Sequence, residues 1–117
     1  MQLDQRTVGD VVIVTIRGEI TLNKGGDVVL KDKVRSLVQQ GYKKALIDLG
    51  DVPYVDSAGL GELTQAYVSM KNGGGTLKLV RVTKRLKDLL AITKLVTVFE
   101  SYDTEAAALA SFGAAGV

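Results

Sequence analysis

The chain has 117 residues, 46% hydrophobic and 24% charged, enough for one core and too apolar for a disordered chain. It holds neither cysteine nor histidine, which excludes disulfides, thiolate or imidazole metal sites and every histidine-dependent catalytic scheme. A net charge of +2, an aromatic content of 5% and no Trp argue against a nucleic-acid partner. No apolar run approaches the roughly 20 residues of a membrane-spanning helix, and MQLDQRT lacks the apolar centre of a secretory signal. A cytoplasmic protein is expected.

Gly9-Asp10 separates two strand-like runs, residues 2–8 and 11–17, the mark of a hairpin. The second run, Val11-Val12-Ile13-Val14-Thr15-Ile16, is almost continuously apolar and β-branched, which predicts a strand covered on both faces. Gly18 ends it. From about Asp27 the period changes. Leu30, Val34, Leu37 and Val38 form one stripe of an amphipathic helix, opposite Lys31, Asp32, Lys33 and Arg35. Gly41 is a natural stop. Ala45-Leu46-Ile47-Asp48-Leu49 is short and apolar, a buried strand. A connection with Gly50 and Pro53 follows, then a second helical stripe at Leu60, Leu63, Tyr67 and Met70, ending at Asn72-Gly73-Gly74-Gly75. A strand over residues 76–81 places Leu77 and Leu79 on one face. Leu86, Leu89 and Leu90 mark a third helix, and residues 97–102 read as the last strand. Asp103 is expected to cap a final helix carrying Ala106, Ala107, Leu109, Ala110 and Phe112.

The order β-β-α-β-α-β-α-β-α predicts an α/β fold. It is a mixed, mainly parallel sheet of about five strands with about four helices packed on it, the hairpin supplying an antiparallel edge. Residues 1–112 are expected to form a single domain and residues 113–117 a short flexible tail.

Three segments, and one cluster of cations, could carry chemistry. Gly73-Gly74-Gly75 follows a helix and precedes a strand, the reverse of a phosphate cradle, and reads as a turn. Asn23-Lys24-Gly25-Gly26 precedes a helix but lacks the Walker spacing, and reads as a loop and helix entry. Lys84, Arg85, Lys87 and Lys94 are the nearest approach to a basic cluster, and their spacing suits the solvated face of a helix. The third segment, residues 48–60, runs from the carboxyl end of a central strand into the second helix, where open α/β sheets meet their ligands. Asp56 reads as the N-cap and Ser57 as the first helical residue, its hydroxyl exposed at the positive end of the helix dipole. Gly59 and Gly61 cost that helix about 1 kcal/mol each against Ala. Such a cost points to another backbone approaching closely, or to tight helix–sheet packing.

Ala45-Leu46-Ile47-Asp48-Leu49 followed by Val55-Asp56-Ser57-Ala58-Gly59-Leu60-Gly61 resembles the STAS family, and within it the stand-alone bacterial anti-sigma factor antagonists. Gly18-Glu19-Ile20, Gly73-Gly74-Gly75-Thr76-Leu77 and Leu95-Val96-Thr97-Val98-Phe99 agree with the family, over nearly the whole chain. The resemblance implies a protein-binding switch. The unphosphorylated form binds an anti-sigma factor that is also a serine kinase, and so frees the sigma factor. Phosphorylation at Ser57 switches binding off, and a serine phosphatase restores it. Without His or Cys, with no converging carboxylate or Lys pair and with neither glycine cluster in the order of a phosphate cradle, no enzymatic activity, no cofactor and no metal are expected. The resemblance implies a partner surface of Asp56, Ser57, Ala58, Gly59, Leu60 and Gly61 with Thr21 and Asn23. It leaves a weak homodimer open. Thr21 stands where the family commonly has Asp, and the loop over residues 22–26 is atypical, so the partner's identity is open as well. A second reading is a STAS scaffold or regulatory subunit, in a stressosome-like assembly or a lipid-transport complex.

Overall fold

The computed structural model describes residues 2–21 and 26–113, with residues 26–28 as backbone only. Strands β1 (Gln2–Val8) and β2 (Val11–Arg17) form the hairpin, Val8 opposite Val11 and Gln2 opposite Arg17. Its turn needs Gly9, whose φ of 60° is a left-handed conformation that glycine adopts without a Cβ penalty. β2 pairs in parallel with β3 (Lys44–Asp51), β3 with β4 (Thr76–Val80), and β4 with β5 (Ser101–Tyr102), so the five strands lie in sequence order. The helices are α1 (Gly26–Gln39), α2 (Ser57–Asn72), α3 (Lys84–Ile92) and α4 (Glu105–Ser111). The expected element order and mixed sheet are therefore what the chain adopts.

The sheet has two unequal faces. On one, Val12, Val14, Ile47 and Leu79 pack against Leu30 and Val34 of α1, Leu63 and Met70 of α2, and Leu86 and Leu90 of α3. On the other, Val11, Ile13, Leu46 and Val80 meet Ala108 of α4. Burial on both faces is why β2 reads as a continuous apolar run instead of an alternating one. An Arg6–Glu105 ion pair ties α4 to the edge strand. Lys78, buried beneath α4, donates to the Ser111 carbonyl and hydroxyl at 3.0 Å each and lies 4.7 Å from the Phe112 ring centroid.

Three local expectations are corrected. The strand expected over residues 97–102 is confined to Ser101–Tyr102, and Leu95–Thr97 forms a single 3₁₀ turn entered through Lys94 at φ 62°. Leu95, Val98 and Phe99 all pack on the main core, a spacing of i, i+3 and i+4 that suits a turn. Phe99 meets Tyr67 edge-on, with centroids 5.5 Å apart. The cap of α4 is Thr104, whose hydroxyl accepts the Ala107 N–H at 3.1 Å, and Asp103 instead faces Lys87 at 3.4 Å. A cap must sit one residue before the first helical one, here Glu105. β4 also ends at Val80, since Arg81 turns out of the strand at φ 56°. Of the expected tail, residues 114–117 lie outside the described residues.

Candidate functional site

The site begins where β3 runs out. Asp48, 5% exposed, accepts from Arg81 Nε at 2.9 Å and Nη2 at 2.8 Å, and from the Gly50 N–H at 3.0 Å. Gly50 makes the pair sterically feasible, because a Cβ there would stand 2.6 Å from Arg81 Cζ. The hydrogen bond to Asp48, reinforced by its charge, holds the Arg81 guanidinium above its ordinary pKa. Asp51, the last residue of β3, faces Arg17 at 3.5 Å. Chain ends of β2 and β3 are thereby fixed before α2 starts.

The connection is then stitched to the continuation of β2. Val55 bridges Ile20 in parallel fashion. The Ile20 N–H donates to the Tyr54 carbonyl at 3.0 Å, and the Asp56 N–H donates to the Ile20 carbonyl at 3.3 Å. Asp56 is extended, with φ −90° and ψ −178°, and its Oδ1 accepts the Gly59 N–H at 2.7 Å. That satisfies one donor of the first turn, as an N-cap should. Ser57 is the first residue of α2 and is exposed, with Ala58 and Gly61 exposed beside it. Gly59 and Leu60 are buried beneath them, and Thr21 is buried one residue beyond Ile20. Asn23 lies outside the described residues.

The two glycines have different causes. A Cβ on Gly59 would lie 1.9 Å from the Ile20 carbonyl oxygen, so the backbone that demands this glycine is the chain's own. Among the described residues, a Cβ on Gly61 would meet nothing within 4 Å. Its helix cost is unexplained by packing among the described residues.

Beside Ser57 runs a groove of about 270 Å³. Tyr54, Asp56 and Ser57 from the start of α2 and the connection before it line it together with Arg85, Asp88 and Ile92 of α3. The Arg85 guanidinium lies 6.0 Å from the centroid of the Tyr54 ring. Sequence reasoning placed Arg85 on a solvated helix face and did not connect it with Ser57. The available signal was Ile92, seven residues on from Arg85 on the same helical face and 78% exposed. Among the described residues no three acidic side chains converge on a metal position. Asp48 is committed to Arg81, and Asp51 faces Arg17. Among the described residues no helix is long and apolar enough to cross a membrane.

Residues 2–108 match the model of the STAS domain. The chain belongs to the STAS family. This STAS domain is similar to the anti-sigma-B factor antagonist of Bacillus subtilis, 38% identical over 87 residues that cover 74% of this chain and 77% of that one. The crystal structure of TM1081 from Thermotoga maritima superimposes with a TM-score of 0.84 at 27% identity, covering 93% of this chain and 92% of the other. The fold alone is shared with SpoIIAA of Bacillus. Its unphosphorylated form has a TM-score of 0.70 at 15% identity, covering 96% and 98% of the two chains. Its phosphorylated form scores 0.73 at 14% identity, covering 95% and 99%. The family and these relatives place the domain among the anti-sigma factor antagonists, a class of regulators.

Proposed function

We propose that this STAS domain binds an anti-sigma factor with serine kinase activity, frees the sigma factor by doing so, and is switched off by phosphorylation of Ser57. The observation that carries the reading is the Ser57 hydroxyl, exposed on the first residue of α2 while Asp56 beside it accepts the Gly59 N–H. The turn that carries it is braced by the Ile20 backbone, whose carbonyl accepts the Asp56 N–H. In the transfer, Ser57 Oγ forms a bond to the γ-phosphorus of ATP, the bond from that phosphorus to the bridging oxygen breaks, and ADP leaves. The hydroxyl proton passes to a base on the kinase. ATP and Mg²⁺ enter with the kinase, and this chain contributes the hydroxyl alone.

Phosphate brings a charge of about −1.5 to −2 and three acceptor oxygens. The α2 dipole tolerates an anion at its N-terminus, so the fold persists. A partner packed on Asp56, Ser57, Ala58 and Gly61 instead meets added bulk and charge. That SpoIIAA keeps one fold in its unphosphorylated and phosphorylated forms supports a switch that acts on the surface. A serine phosphatase reverses it, in the cytoplasm where the sigma factor works.

Calorimetry against the cognate anti-sigma factor tests the reading. Ser57→Ala keeps wild-type affinity and resists inactivation by the kinase. Ser57→Asp weakens binding by at least about tenfold, or about 1.4 kcal/mol. Equal affinities for all three proteins refute it. Label from ATP and Mg²⁺ appearing on Ser57 without a partner would instead assign kinase chemistry to this chain.

A further inference from the structure

We propose that Arg85 is the residue that receives the phosphate on Ser57, drawing it across the groove between the first turn of α2 and α3. The inference rests on Ser57 being the modified residue and adds what holds the modified state. Ser57, the first residue of α2, and Arg85, in the first turn of α3, line the same groove. Arg85 is exposed and makes no ion pair among the described residues, its guanidinium resting near the face of Tyr54 instead. Such a cation–π contact at an exposed site is worth only about 0.5–1 kcal/mol. A dianionic phosphate offers a planar guanidinium two parallel charge-assisted hydrogen bonds, which are roughly twice as strong as neutral ones. The guanidinium therefore leaves the ring for the phosphate.

The other charges in the groove are Asp56 and Asp88. Both are anionic and oppose a phosphate there. Asp56 is held by the Gly59 N–H, so it stays close to the modified residue. Repulsion from two carboxylates makes a cation in the same groove the element that decides where the phosphate rests. Arg85 is that cation. The consequence is a groove that changes character. Unmodified, it presents Tyr54, Ile92 and a cation to a partner; modified, the cation is neutralised and the groove is spanned. Phosphorylation then removes a favourable contact as well as adding a repulsive one. A carboxylate at position 57 lacks the third oxygen and the second charge, so Ser57→Asp reproduces the repulsion without the span.

The test uses full-length protein carrying genetically encoded phosphoserine at position 57, so the modified state exists whether or not a kinase is known. Phosphorus NMR titration reads the second ionisation of the phosphate, ordinarily near pH 6. With Arg85 present the midpoint lies about 0.5–1 unit lower than in the Arg85→Gln protein, because a nearby cation favours the dianion. The difference shrinks in 1 M salt, where the screening length falls to about 3 Å. Arg85→Lys restores part of the shift, since it keeps the charge and loses the fork. Identical midpoints in wild type and Arg85→Gln overturn the inference. The proposed switch is judged separately, by anti-sigma factor binding. A phosphoserine protein that still binds at full affinity defeats that reading even if the midpoints differ, and one that loses binding with identical midpoints defeats only the role of Arg85.

Discussion

Replacing Gly59 and Gly61 by alanine, one at a time, separates packing from propensity within a single turn of α2. At Gly59 the added Cβ is 1.9 Å from the Ile20 carbonyl oxygen and 2.8 Å from its carbon. Backbone, not a flexible side chain, blocks it. Ile20 must retreat by roughly 1.4 Å to reach an ordinary C···O separation of about 3.3 Å. That movement strains the bonds from the Ile20 N–H to Tyr54 and from the Asp56 N–H to Ile20. Each is worth about 0.5–1.5 kcal/mol, and overpacking adds about 1–3. The helix regains about 1 kcal/mol from losing a glycine. The balance for Gly59→Ala is a loss of about 3 kcal/mol, or about 12 °C in Tm for a domain of this size. Gly61→Ala meets none of the described residues and keeps only the propensity gain, up to about 1 kcal/mol or about 4 °C upward. Thermal and urea unfolding followed by circular dichroism measure both. Amide chemical shifts of Ile20 and Asp56 report whether the bridge has moved. Two variants shifting Tm in the same direction by similar amounts would refute the claim that the Ile20 backbone dictates Gly59.

Asp56→Ala removes the cap and is expected to cost about 0.5–2 kcal/mol while slowing phosphorylation of Ser57. Unchanged melting with abolished phosphorylation would give Asp56 a direct role in the transfer instead. At the opposite end of β3, Lys44 hydrogen-bonds Asp10 at 2.7 Å and holds its carboxyl below the ordinary carboxylate range. The pair's contribution is therefore present above that range and is lost as pH falls through the lowered pKa of Asp10. Carboxyl carbon NMR of Lys44→Met should show the Asp10 midpoint rising, and an unchanged midpoint would remove Lys44 as the cause.

Where a pattern is local, the residues carry it by themselves. The hairpin follows from Gly9-Asp10 between two β-branched runs, because the turn conformation depends on the residues within it. α1 and α2 follow from stripes at helical spacing. The Asp56 cap follows too, since its bond to Gly59 spans only three residues. Near the end of the chain local pattern misleads. Residues 95–99 are apolar enough for a strand, yet the core accepts Leu95, Val98 and Phe99 only on the inner side of a turn. Asp103 and Thr104 are both competent caps, and the point where α4 docks on Val11 and Ile13 selects Thr104.

The site divides along the same line. That Ser57 opens a helix with its hydroxyl outward is a statement about residues 56–61, and the sequence contains all of it. Tertiary structure alone decided that the backbone over Gly59 is Ile20, that Asp48 meets Arg81 across 33 positions, and that α3 lays Arg85 along the groove beside Ser57. Those contacts join segments whose separation depends on how the parallel crossovers pack, and no residue pattern within one segment encodes the distance to another.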